Sequence, residues 1–186
     1  MVAVASTMLP LGTRMPAFSL TDAATGRVVS ERDASGPQGA LVMFICNHCP
    51  YVKAVTDRIV RDVGELKGLG VSAVAISSND AIDYPDDSFD NMRRFAAEHG
   101  FNFPYLYDES QDVARAYDAV CTPDFFGFND KFELQYRGRI DASGRDPSPS
   151  GARRELFEAM KLIAETGEGP RDQTASIGCS IKWKAA

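Results

Sequence analysis

The stretch Ala40-Leu41-Val42-Met43-Phe44-Ile45-Cys46-Asn47-His48-Cys49-Pro50-Tyr51-Val52 decides the fold. Ala40 to Ile45 is a continuous apolar run, the pattern of a strand buried on both faces. Two cysteines follow, separated by two residues, and helical periodicity then begins at once. Val52, Val55, Ile59, Val63 and Leu66 recur on one stripe, and Gly68 and Gly70 close it. Pro50 suits the first helical turn, where a missing N–H costs little. The cysteines are therefore predicted at a strand-to-helix junction. A thiolate there meets the unpaired N–H groups and positive dipole end of the helix, which stabilise the anion. Such positions bring a cysteine from about 8.5 down to between about 3.5 and 7.5.

Outward from this junction the chain alternates strand and helix. Phe18–Leu20 and Arg27–Val29 can pair across the Ala23–Gly26 turn as an N-terminal hairpin. Val71 to Ile76 reads as a second buried strand. A polar loop follows, whose Asp80, Asp83, Asp86, Asp87 and Asp90 read as solvated loop and helix start, with Ser88 as N-cap of a helix reaching Gly100. Phe103–Tyr107 is a strand and Ser110–Asp118 a short helix. Phe125–Phe128 and Phe132–Tyr136 form a hairpin, and a last helix carries Leu156, Met160 and Ile163 on one face. The order is that of an α/β fold, a mixed β-sheet flanked by helices. Residues 1–186 read as a single domain, with 167–186 as a docked C-terminal tail.

Composition narrows the function. The 186 residues are 44% hydrophobic, enough for one core without disulfide or metal staples. A net charge of −6 argues against nucleic acid and anionic membrane surfaces as partners. No segment approaches the ~18 apolar residues of a membrane span. Met1 to Gly12 lacks the charged start of a signal peptide, so a cytoplasmic location is expected. In that reducing compartment the 4 cysteines read as catalytic or metal-binding rather than as staples.

In such a pair the first cysteine is usually the exposed nucleophile and the second resolves the mixed disulfide, so Cys46 is read as attacker and Cys49 as resolver. His48, between them, can help hold a thiolate. Covalent haem attachment would need histidine where Pro50 stands. A structural zinc site would need a second close pair, whereas Cys121 and Cys179 are isolated in sequence.

Cys121-Thr122-Pro123 immediately precedes the Phe-rich strand, and proline at a strand start signals a special turn. With this feature the chain resembles the thioredoxin superfamily. Within it, Cys46 to Lys53, Tyr84-Pro85, Thr122-Pro123-Asp124, Gly138-Arg139 and Gly178 to Trp183 resemble the bacterial redoxin branch grouped with alkyl hydroperoxide reductase and thiol-specific antioxidant (AhpC/TSA) proteins. The resemblance implies a thioredoxin-like fold with an N-terminal hairpin extension and a C-terminal tail. It implies a cis Pro123 and a Thr122 backbone that offers hydrogen bonds to a bound substrate. The peroxiredoxin pattern Pro-x-x-x-Thr-x-x-Cys is not met: counted back from Cys49 it meets Val42 and Cys46, and from Cys46 it meets Gly39 and Met43.

The function expected is that of a thiol–disulfide oxidoreductase. Cys46 attacks a protein or small-molecule disulfide, Cys49 resolves it, His48 assists, and Thr122 and Pro123 bind the substrate. Cys121 reads as a small buried hydrophobe at a strand entrance or as an auxiliary thiol, and Cys179 as part of a docked structural tail or as a third redox thiol. Neither a bound cofactor nor a metal is expected, and an external reductant recycles the dithiol. The alternatives are a thiol-dependent peroxidase and a zinc- or copper-binding redox sensor. The tail is expected to dock near the Cys46 site, with Trp183 covering what Ile45 leaves bare.

Overall fold

A computed structural model describes residues 3–185; Met1, Val2 and Ala186, at the two ends of the expected domain and tail, lie outside the described residues. The strands are β1 Ala3–Ala5, β2 Ser19–Asp22, β3 Val28–Ser30, β4 Gly39–Phe44, β5 Val71–Ser77, β6 Tyr105–Tyr107, β7 Cys121–Thr122, β8 Asp124–Phe128, β9 Leu134–Gly138 and β10 Ile177–Ser180. The helices are α1 Pro50–Gly68, α2 Phe89–Glu98, α3 Asp112–Ala116 and α4 Glu155–Thr166. Seven strands form one mixed sheet in the order β3-β2-β6-β5-β4-β8-β9. β4 runs parallel to β5 and antiparallel to β8, so the apolar run of the sequence is the interior strand.

All six residues of β4 are buried, and their alternation divides the core. Leu41 and Met43 join Val52, Ile59 and Leu66 of α1, Met92 and Phe95 of α2, and Leu156, Met160 and Ile163 of α4. Val42 and Phe44 join Val113 of α3, Tyr117, Phe126 and Phe128 on the opposite face. The Phe44 ring packs edge-on against Tyr117 and Phe126, with centroids 5.4 and 5.8 Å away. Each fully buried side chain of this size contributes about 1.5–3 kcal/mol. This is the thioredoxin-like α/β architecture that the sequence resemblance implies.

Three local features differ from the sequence reading. Ser88 occupies the N-cap position of α2, but its side chain makes no capping bond. The segment after α4 is not free of regular structure: β1, β10 and β7 form a separate three-stranded sheet. Ile45 is fully buried by the core itself, and Trp183 sits 4.5 Å over the Arg115 guanidinium instead. The chain from Ser180 onward is fastened to the C-terminal side of β5. There Lys182 N–H donates to Asn79 Oδ1, and Lys182 O accepts from Asp80 N–H and Gln111 Nε2, each at 2.8 Å.

Candidate active site: a thiol hub at the start of α1

The parallel pairing of β4 and β5 puts their carboxyl ends on one edge of the sheet, where open α/β sheets bind ligands. Cys46 leaves the end of β4, and Cys49 is the N-cap residue of α1, with Pro50 in the first turn. The junction between β7 and β8 faces them. Its Thr122–Pro123 peptide bond is cis. Thr122 Oγ1 is 3.3 Å from Cys46 Sγ, and Cys49, in its thiol form, donates to Thr122 O at 3.3 Å. Cys46, Cys49 and Cys179 are all buried and all free thiols, as is Cys121.

Cys49 is the hub. The Cys46 thiol foremost, then the Cys179 thiol and the Val52 and Cys179 N–H groups, favour its thiolate. Together these outweigh the cost of burial and bring its pKa down to about 5. The same contact acts oppositely on its donor. Hydrogen bonding to Cys49, burial and the Asp87 charge push Cys46 well above the ordinary thiol value, against a smaller opposing effect of Thr122. Burial and the bond to Cys49 push Cys179 up to about 11. Cys121 stands aside, with its sulfur 3.9 Å from Pro123 O, and burial raises its pKa.

His48 is anchored by a residue read from the sequence as solvated. Asp87 is wholly buried at the end of a single 3₁₀ turn, Pro85–Asp87. It accepts from Asn47 N–H at 2.7 Å and from Asn79 Nδ2 at 2.7 Å, and its Oδ2 lies 2.6 Å from His48 Nδ1. Burial pushes the Asp87 carboxyl up, but the bonds from His48 and Asn79 outweigh it and hold the pKa below the usual value. The Asp87 hydrogen bond in turn raises the pKa of His48. Tyr84 stacks on the imidazole, with centroids 5.8 Å apart and planes 7° from parallel. The sequence did carry a signal for Asp87, namely a polar loop leaving the carboxyl end of a buried strand beside the cysteine strand.

Cys46, His48 and Asp87 present ligand-type atoms all within 4.8 Å of one another. His48 and Asp87 are nevertheless closer than two ligands on a tetrahedral zinc, about 3.3 Å apart, and Asp87 is already saturated with donors. The geometry is that of an ion pair. A largely apolar groove of about 310 Å³ runs past Tyr51, Pro123, Phe125, Ile140 and Ile177, with no cysteine in its lining.

The site residues expected from the sequence are thus divided. Cys46, Cys49, His48, Thr122, Pro123 and Cys179 converge, while Cys121 lies at the margin. The fold and the buried thiol cluster define a thioredoxin-fold redoxin of antioxidant type. The chain belongs to the AhpC/TSA family, whose model matches residues 11–143. It is similar to an uncharacterized conserved protein of Geobacillus kaustophilus, with 46% identity over 100% of this chain and 98% of that one and a TM-score of 0.95. It is also similar to a hypothetical protein of Sinorhizobium meliloti 1021, with 35% identity, 98% and 99% coverage and a TM-score of 0.89. The thioredoxin domain of a thiol-disulfide oxidoreductase of Bacteroides vulgatus shares the fold, at 19% identity, 69% and 88% coverage and a TM-score of 0.59. No curated protein matches the sequence.

These findings correct the expected disulfide exchanger in which Cys46 attacks and Cys49 resolves. The family is AhpC/TSA. No cysteine is disulfide-bonded, and it is Cys49, not Cys46, whose surroundings lower the thiol pKa. The backbone of Thr122 is paired with the chain's own β10. Among the described residues no helix is long and apolar enough to cross a membrane.

Proposed function

We propose that the protein is a thiol-dependent peroxidase in which Cys49 is the peroxide-reactive thiol. One observation carries the reading: Cys49 is the N-cap residue of α1, between Cys46 and the cis Thr122–Pro123 junction, in surroundings that bring its pKa down to about 5. It is a thiolate at neutral pH, as the reaction requires. Family membership supports the same chemistry.

The Cys49 thiolate attacks one oxygen of a hydroperoxide. The S–O bond forms as the O–O bond breaks, sulfur is oxidised, and the peroxide leaves as an alcohol or water after taking a proton. The His48 imidazole, whose pKa Asp87 raises, would supply that proton. A neighbouring thiol then condenses with the Cys49 sulfenic acid, forming a disulfide and releasing water. An external dithiol reductant restores both thiols. The peroxiredoxin pattern, counted back from Cys49, places Cys46 at its threonine. The Thr122 hydroxyl stands 3.3 Å from Cys46 Sγ, while Cys49 meets the Thr122 carbonyl at 3.3 Å. The groove beside Pro123 gives room for an apolar substituent on the peroxide. A reducing compartment such as the cytoplasm suits the four free thiols.

The test is turnover of hydrogen peroxide and cumene hydroperoxide with dithiothreitol as reductant. Wild type is expected to consume both. Cys49→Ser is expected to fall by at least a hundredfold, to the uncatalysed background. Retention of activity in Cys49→Ser would overturn the assignment.

A further inference from the structure

The tail of the chain reaches the carboxylate behind His48 through a buried side chain, Asn79, which lies two residues past the end of β5. Its Oδ1 accepts from the N–H of Lys182, 103 residues further along the chain, at 2.8 Å. Its Nδ2 donates to Asp87 Oδ2 at 2.7 Å. The same Oδ2 lies 2.6 Å from His48 Nδ1, while Asp87 Oδ1 accepts from Asn47 N–H at 2.7 Å. Tail backbone, amide, carboxylate and imidazole thus form one continuous series of polar contacts.

Each link has a single workable direction. A backbone N–H can only donate, so Lys182 turns the Asn79 oxygen toward the tail and leaves its NH₂ for the carboxylate. A reversed amide would set donor against donor at the tail and acceptor against carboxylate at Asp87, with both side chains buried. The tail is itself fixed at this point. Lys182 O accepts from Asp80 N–H and Gln111 Nε2, Gln111 Oε1 accepts from Lys184 N–H at 2.9 Å, and Trp183 lies against the Arg115 guanidinium. Asp87 is thereby held by three donors, two of them on the oxygen that faces His48. With Nδ1 engaged, Nε2 is the ring nitrogen left to deliver a proton.

We propose that Asn79 is a positioning residue for His48: locked by the Lys182 N–H of the docked tail, it fixes the Asp87 carboxylate that orients the imidazole. Its part in the reaction rests on the peroxidase reading above, in which His48 supplies the proton to the departing oxygen. The groups that face His48 are Asp87 from the 3₁₀ turn, Cys46 and Cys49 from the junction, Tyr84 stacked on the ring, and Lys182 from the tail. Asp87 favours the charged ring and the Lys182 ammonium opposes it. The backbone and the side chain of Lys182 therefore act on His48 in opposite directions.

The test is NMR titration of the His48 Cε1–H in the full chain, beside the single-turnover rate at which the reduced protein consumes hydrogen peroxide. Asn79→Leu removes both bonds of the amide. Lys182→Pro removes the tail N–H together with the charge, and Lys182→Gln removes the charge alone. The proposal expects the His48 midpoint to fall in Asn79→Leu, and to lie lower in Lys182→Pro than in Lys182→Gln. It expects the peroxide rate of Asn79→Leu to fall roughly tenfold, a part of the ~10²–10⁴ that a positioned proton donor contributes. The resonance of His99, packed 4.3 Å from the Phe95 ring, should keep its place in every variant and so report an intact fold. The Lys182 variants leave the buried amide in place, so a folding defect in Asn79→Leu does not blur the comparison. An unmoved midpoint in Asn79→Leu, equal midpoints in the two Lys182 variants, or an undiminished peroxide rate beside a lowered midpoint overturns the proposal. Shifted midpoints in a chain whose wild type consumes no peroxide remove the peroxidase reading and leave the positioning of His48 standing.

Discussion

Asp87 Oδ2 stands 2.6 Å from His48 Nδ1, and Asp87 is wholly buried while His48 keeps contact with solvent. The carboxylate cannot be neutral there without abandoning donors from three residues, and its hydrogen bond raises the pKa of the imidazole beside the thiols.

Replacing Asp87 with asparagine therefore lowers the His48 midpoint. NMR titration of the imidazole Cε1–H should give a midpoint above the ordinary histidine value in wild type and a clear fall in Asp87→Asn. The sign for stability follows. Because the folded-state pKa of His48 is raised, its contribution is complete below the ordinary histidine value and is lost as pH rises through the folded midpoint. Denaturant melts of Asp87→Asn should lack that alkaline loss.

The Cys49 thiolate is directly visible. Absorbance at 240 nm, followed as the reduced protein is taken from acid to neutral pH, should show one thiolate step near pH 5. Cys49→Ser should abolish the step, whereas Cys46→Ser should raise its midpoint, since the Cys46 thiol is the strongest donor to Cys49.

Asp124, immediately after Pro123, is buried and bonded to Ser6 Oγ at 3.0 Å. Burial brings its pKa up to about 7 against the lowering effect of Ser6 and the Phe125 N–H. Its folded-state pKa exceeds the unfolded 3.8, so the folded chain binds more protons between these values and stability falls as pH rises through that window. Asp124→Asn should flatten this slope in urea melts measured from pH 4 to pH 8, and should be the more stable protein at the alkaline end.

Arg58 of α1 and Asp141 form a buried ion pair, with both carboxylate oxygens within 2.7 Å of Arg58 Nη1. Asp141→Ala strands the guanidinium and should cost about 3 kcal/mol, whereas Arg58→Met with Asp141→Leu should recover most of that loss. Denaturant midpoints of the single and double variants give the comparison.

The parts of this molecule governed by local pattern are legible in its sequence. β4 and α1 follow from an unbroken apolar run and a 3.6-residue stripe, and the hairpin of β8 and β9 from its turn residues. The site is legible as far as Cys46, Cys49 and His48 are neighbours on the chain. The rest depends on long-range register. Nothing local in Asp87 distinguishes it from Asp83 or Asp86; it is buried because a 3₁₀ turn brings it beneath Asn47 and Asn79. β10 is four residues long, and its place is set by β1 and β7 rather than by periodicity. Which of the two junction cysteines is the more acidic is not legible in their order, because sequence position says which thiol comes first, not which sulfur has surroundings that favour its anion.

The most direct test of the central claim is a single-turnover reaction of the reduced protein with one equivalent of hydrogen peroxide, quenched with dimedone at early times and mapped by mass spectrometry. The account predicts that the first oxidised sulfur is Cys49, with peroxide lost in step. First oxidation at Cys46, or peroxide that survives beside an unmodified Cys49, would contradict it.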